Sequence, residues 1–128
     1  MNKMKYSINI DHDLKIIRYK HSGVIAAEDI GQAWQEFLSL DEFTQEKYNL
    51  LSDYRNAKFD FSYRKISEIV NFMVNIKDIV KGKRQALIVD DPHATAGSML
   101  FEASVYKEVG FIIQVFTTEN AALRWLSA

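Results

Sequence analysis

The chain has no cysteine. Disulfides, thiolate metal sites and cysteine nucleophiles are therefore excluded. There is one proline, Pro92, and the five glycines are scattered. They form no Walker-type or dinucleotide-binding glycine motif, which excludes phosphate cradles of those two kinds. Net charge is almost absent: 16 basic residues stand against 17 acidic ones, a formal −1. Without a long Lys/Arg cluster, that balance leaves no footprint for nucleic acid. It also does little to hold two copies apart. No apolar stretch approaches the roughly twenty residues of a membrane-spanning helix. Residues 1–6 carry two lysines but no apolar run behind them, unlike a signal peptide. Repeats, linkers and low-complexity tracts are lacking too. The expectation is a soluble cytoplasmic protein with no cofactor signature.

What is present is core material. Hydrophobic residues make up 48% of 128 positions, which suits one domain, 1–128, with one core. Residues 6–10 alternate as a strand with one buried face, and Asp11-His12-Asp13 is rich in turn formers. Residues 14–20 make the second strand of an antiparallel hairpin, which Gly23 ends by supplying a positive φ. A helix is predicted over 26–40, with Ile30, Ala33, Trp34, Phe37 and Leu38 on one face. Residues 41–47 read as a loop and 48–53 as a short strand.

A polar loop then leads into a long helix over 62–81, started by Asp60 or Ser62 as cap and stopped by Gly82. Residues 84–90 form a strand apolar enough to be covered on both faces. Asp91-Pro92 opens the next helix as cap and first residue. That helix runs to Val109, with Met99, Leu100, Ala103, Val105, Tyr106 and Val109 available for burial. Gly110, a strand over 111–116, a Thr117 or Thr118 cap and a helix over 119–126 complete the chain. The order is β-β-α-β-α-β-α-β-α: an α/β fold with a mostly parallel sheet, an antiparallel N-terminal hairpin and four helices.

Three motifs stand out within this order. A strand ends in Leu50-Leu51-Ser52-Asp53-Tyr54-Arg55, and another leads through Val89-Asp90 into Asp91-Pro92. The chain closes with Gly110, Val115-Phe116-Thr117-Thr118-Glu119 and Ala122-Leu123-Arg124-Trp125-Leu126. Together these resemble the STAS domain of anti-sigma-factor antagonists, and more closely the small bacterial SpoIIAA-like family, also described as STAS-like or CRAL-TRIO-like. The resemblance runs from Tyr6 to Leu126 and implies the SpoIIAA-like fold. It also implies a regulatory role through protein partners, although members of the family mostly lack an established biochemical role. In signalling STAS domains an Asp-Ser pair opens the helix after the third strand, and a partner kinase phosphorylates the serine. Aligning Asp60 with that Asp puts Phe61, which cannot accept phosphate, at the acceptor position. Ser62 would serve only after a shift of register, and a helix cap is the readier role for it.

Polar residues at strand ends offer other chemistry. Ligands of open parallel sheets bind beyond the carboxyl ends of the strands. That edge would gather Gly23, Ser52, Asp53, Tyr54, Arg55, Asp90, Asp91, His93, Thr117 and Thr118. Arg55 there would hold an anion or pair with a neighbouring acid. Asp90, Asp91 and His93 fall short of a metal's ligand count. Ser52 or Ser62 with His93 and Asp53 supplies the residue types of a triad but no nucleophile elbow. The reading that emerges is a non-enzymatic interaction module. It docks a protein partner, or a copy of itself, around Asp53, Arg55, Phe59, Asp60, Phe61, Ser62, Tyr63, Asp91 and His93, with Phe59, Phe61 and Tyr63 as exposed aromatic anchors. The alternative is a carrier of a lipid or small hydrophobic ligand, with Phe72, Met73, Ile76, Met99, Phe101 and Tyr106 lining a pocket between two helices.

Overall fold

The structure, a computed structural model, describes residues 6–128. Lys3 and Lys5, on which the signal-peptide reading partly rests, lie outside them. The elements are β1 (Tyr6–Asp11), β2 (Ile16–Ile25), α1 (Ala27–Leu38), α2 (Asp41–Thr44) and β3 (Asn49–Phe59). They continue with α3 (Arg64–Asn75), α4 (Lys77–Val80), β4 (Arg84–Ile88), α5 (Pro92–Val109), β5 (Ile112–Phe116) and α6 (Glu119–Ser127). The sheet order is β1-β2-β3-β4-β5. The first pair is antiparallel and the other three are parallel, as the sequence pattern predicts.

Since the strands lie in chain order, right-handed crossovers carry every connecting helix to the same face of the sheet. The main core is on that face. Ile17, Tyr19, Leu50, Tyr54, Leu87 and Val89 from the strands meet Trp34 and Phe37 of α1, Ile66, Val70 and Met73 of α3, and Val105 and Val109 of α5. Among the described residues only α6 covers the opposite face, where Ala122 and Leu126 pack on Ile16, Leu51, Ala86 and Ile88. The caps at Asp91 and Thr118 form as predicted: each side chain accepts a hydrogen bond from the backbone N–H three residues on, at 3.3 Å.

Four local expectations need correction. First, β2 does not end at His21-Ser22-Gly23, nor β3 at Asp53: the two run on together, pairing Ser22 with Asn56 through Ile25 with Phe59. Between Lys20↔Asp53 and Ser22↔Asn56, β2 advances two residues and β3 three. This bulge resets the alternation, so that Tyr54 and Ala57 are both buried. Gly23 has its positive φ, 80°, but inside the strand. Second, residues 41–44 form the single turn α2, which buries Phe43. Third, the helix predicted over 62–81 breaks at Ile76 (φ −114°, ψ 21°) into α3 and α4.

Fourth, α5 buries only part of the expected stripe, Val105 and Val109. Ala94, Gly97, Ser98, Val105 and Val109 face inward, while Met99, Leu100 and Tyr106 are 57%, 45% and 66% exposed. Small residues are buried where α5 crosses close to α3: a Cβ on Gly97 would lie 3.4 Å from the Tyr63 ring. Close packing selects for small size there, and the larger apolar residues fall on the outside.

Candidate functional site

The sheet separates the candidate residues into two groups. Alternation along β3 puts Asp53 on the same side as Leu51, which packs under α6, whereas Tyr54 faces α1, α3 and α5. The polar residues 52–55 are in mid-strand and do not rim an edge. No crevice of the reversing-strand type exists in this sheet, because the strand order never reverses.

On the α6 side Asp53 and Arg55 hold each other. Arg55 Nη2 and Nε donate to the two carboxylate oxygens at 2.7 and 3.0 Å, and the Arg55 backbone N–H donates to Oδ1 at 3.0 Å. Burial pushes the Asp53 carboxyl up, but the hydrogen bonds and charge of Arg55, with the charge of Lys20, outweigh it and hold it below the ordinary carboxylate value. The guanidinium is thus engaged in a forked ion pair, the second of the two roles foreseen for it. Beside it, Arg18 bridges Asp11 (3.4 Å) and Glu119 (3.0 Å), tying the hairpin to α6.

On the other side, the turn from β3 into α3 brings three aromatics together. Phe59 packs on Tyr54 (5.1 Å between centroids) and on Phe61 (5.4 Å). Both phenylalanines are half-buried, so of the three anchors expected to be exposed only Tyr63 is, at 43%. Tyr63 stacks on His93, joining the starts of α3 and α5. Asp60 and Ser62 do not cap α3 with their side chains; the first turn is closed by the carbonyls of Ser62 and Tyr63, which accept from Lys65 and Ile66. The Ser62 residue is exposed, and Asp91 is the cap of α5.

Phe59 and Phe61 help to enclose a cavity of about 50 Å³. Its floor is Tyr54, Gln85 and Leu87, and its walls include Trp34, Ile66 and Ser98. A groove of about 210 Å³ between α1 and α3 adjoins it, and Ile30, Trp34 and Ile69 line both. The cavity is therefore between helices and sheet, whereas the carrier alternative placed its pocket between two helices. Of the lining residues expected for it only Phe101 takes part; Phe72 lines the groove. Gln85 is 2% exposed, and its Nε2 donates to the Oγ of fully buried Ser52 at 2.9 Å. Gln85 and Ser98 were missed in the sequence. The available signal was a glutamine alternating with Leu87 and Val89 on the core face of the most apolar strand.

Three side chains foreseen for a triad have other partners. Ser52 is bound to Gln85, His93 to Tyr63 and Asp53 to Arg55, so the triad types do not converge. Among the described residues, no group of three or more His, Asp or Glu side chains is placed to hold a metal ion. No helix among them is long and apolar enough to cross a membrane.

No protein-family model matches the chain, and no curated protein matches it in sequence. Solved structures do match. One is the 2.25 Å crystal structure of an uncharacterized protein of the DUF3478 family from Shewanella loihica PV-4, with a SpoIIAA-like fold. The match has a TM-score of 0.63 at 16% identity, over 98% of this chain and 97% of the other. The chain has the SpoIIAA-like fold, as its motifs led one to expect.

Proposed function

We propose that this chain is a non-enzymatic interaction module that docks protein through the face formed by α3 and α5, and that a second copy of the chain is one such partner. One observation carries this reading. Of seven large hydrophobic residues exposed among the described residues, five lie on these two helices or at their start: Tyr63, Val74, Met99, Leu100 and Tyr106. Tyr63, Val74 and Leu100 line one groove of about 430 Å³, whose sole charged lining residue is Glu108. A groove that joins these apolar side chains to the neutral polar ones of Ser67, Asn71 and Ser104 suits a copy of itself, and the formal charge of −1 gives little long-range repulsion. Light scattering across a concentration series tests it. A dimer is expected, dissociated by Leu100→Asp with the melting temperature retained. A chain that stays monomeric at the highest soluble concentration rejects self-association.

A second reading is favoured by a separate observation, the cavity behind Phe59 and Phe61. There the module takes up a small hydrophobic ligand between its helices and sheet.

A further inference from the structure

We propose that the cavity selects a small, neutral aromatic molecule bearing one hydrogen-bond donor, of which phenol is the simplest example. The proposal rests on the second reading above, that the cavity takes a ligand, and adds what that ligand must carry.

Three features specify the class. The twelve lining residues include no Asp, Glu, Lys, Arg or His. A charged group entering the cavity would lose its hydration and meet no opposite charge, which excludes carboxylates, phosphates and amines from the interior. Five of the twelve are aromatic, Trp34, Tyr54, Phe59, Phe61 and Phe101, and present ring faces and edges to which another ring packs favourably. The third feature is Gln85. Its Nε2 donates to the Oγ of Ser52 at 2.9 Å. That bond orients the amide with its Nε2 toward Ser52. The Oε1 acceptor is buried and has no protein partner. An orphaned buried carbonyl is satisfied only by a donor, so an apolar ring carrying an O–H or N–H gains a bond there that a pure hydrocarbon does not. The cavity takes the polar end of such a molecule, and the adjoining groove along Ile30, Trp34 and Ile69 takes the remainder of the ring.

Phenol and toluene have nearly the same shape and differ in this one group. Titrating each into the full chain, with the methyl resonances of Ile66 and Ile69 as local reporters, measures both affinities. Phenol is expected to bind about two- to tenfold more tightly, the ratio one additional hydrogen bond supplies. Without Gln85 the preference should reverse, because toluene is the more apolar; Gln85→Leu is expected to favour toluene. The wild-type pair decides the matter even if that variant does not fold. Toluene binding as well as phenol overturns the donor requirement while leaving a hydrophobic-ligand pocket in place. Saturable binding of neither overturns the ligand reading together with the proposal. A phenol preference that survives Gln85→Leu overturns the role given to Gln85.

Discussion

Tyr63 and His93 stack ring on ring, 5.2 Å apart and 14° from parallel, with the Tyr63 hydroxyl 3.3 Å from His93 Nδ1. They are 30 residues apart in sequence and stand at the starts of α3 and α5, so the stack fixes where one helix begins relative to the other. A double-mutant cycle with Tyr63→Ala and His93→Ala, followed by denaturant unfolding, is expected to give a coupling of about 0.5–1.5 kcal/mol, typical of aromatic pairs. Additive single mutants would mean that the rings merely adjoin.

Beneath that stack, Gly97 sets how closely α5 approaches α3. A Cβ at this position would lie 3.4 Å from Tyr63 Cε1 and 3.8 Å from Ile66 Cδ1, ordinary contact distances. Gly97→Ala therefore fits and gains helix propensity, with an expected stabilisation of about 0.5–1 kcal/mol. Gly97→Leu has no such room, and overpacking should destabilise by about 1–3 kcal/mol. Thermal melts of the two variants should move in opposite directions.

The Asp53–Arg55 pair predicts a feature of acid unfolding. The folded carboxyl titrates below its ordinary value of 3.8, so the unfolded state takes up the proton first as pH falls. Its contribution is complete above the unfolded value and is lost as pH drops through the folded one. With the Arg55 side chain 37% exposed, solvent screening holds this to about 1 kcal/mol. Asp53→Asn should lose that amount at pH 7 and converge on the wild type once pH has fallen below the folded carboxyl's lowered value.

Lys83 predicts a slope of the same sign at high pH. It is 4% exposed, donates from Nζ to the Phe43 carbonyl and lies 4.3 Å from the centre of the Phe43 ring. Burial, with the positive charge of Lys47, pushes its pKa down to about 8 from 10.5. Between those values the unfolded chain holds the proton and the folded chain does not, so stability due to this group rises with pH. Relative to Lys83→Met, the wild type should gain about 2–3 kcal/mol from pH 8 to pH 10.5. A difference that does not vary with pH would place the ammonium in solvent.

The architecture was legible in the sequence because period and punctuation agreed along most of it. Gly110 closes α5 at φ 77°, and Pro92 stands just inside its start. The candidate site was less legible, for two reasons. Residues 54–59 mix Tyr54, Ala57 and Phe59 with Arg55, Asn56 and Lys58, and the bulge disrupts the alternation that would have marked them as strand. In α5 Met99, Leu100 and Tyr106 point outward, and the inward position at Gly97 must be small beside Tyr63 and Ile66. Lys83, Gln85, Ser52 and His21 are buried polar residues whose place depends on partners distant in the chain. No local pattern encodes Lys83 meeting Phe43, or Gln85 meeting Ser52.

The strand order has a consequence for how the protein is made. Each strand is laid beside the one synthesised before it, so the sheet can be assembled from one side as the chain leaves the ribosome, with no strand inserted between two others. Until the next strand arrives, the newest one is an open template. For β4 that template is Ala86-Leu87-Ile88, among the most deeply buried segments of the finished protein. A chain that ends before β5 is therefore left with its most adhesive edge uncovered, and aggregation is its expected fate.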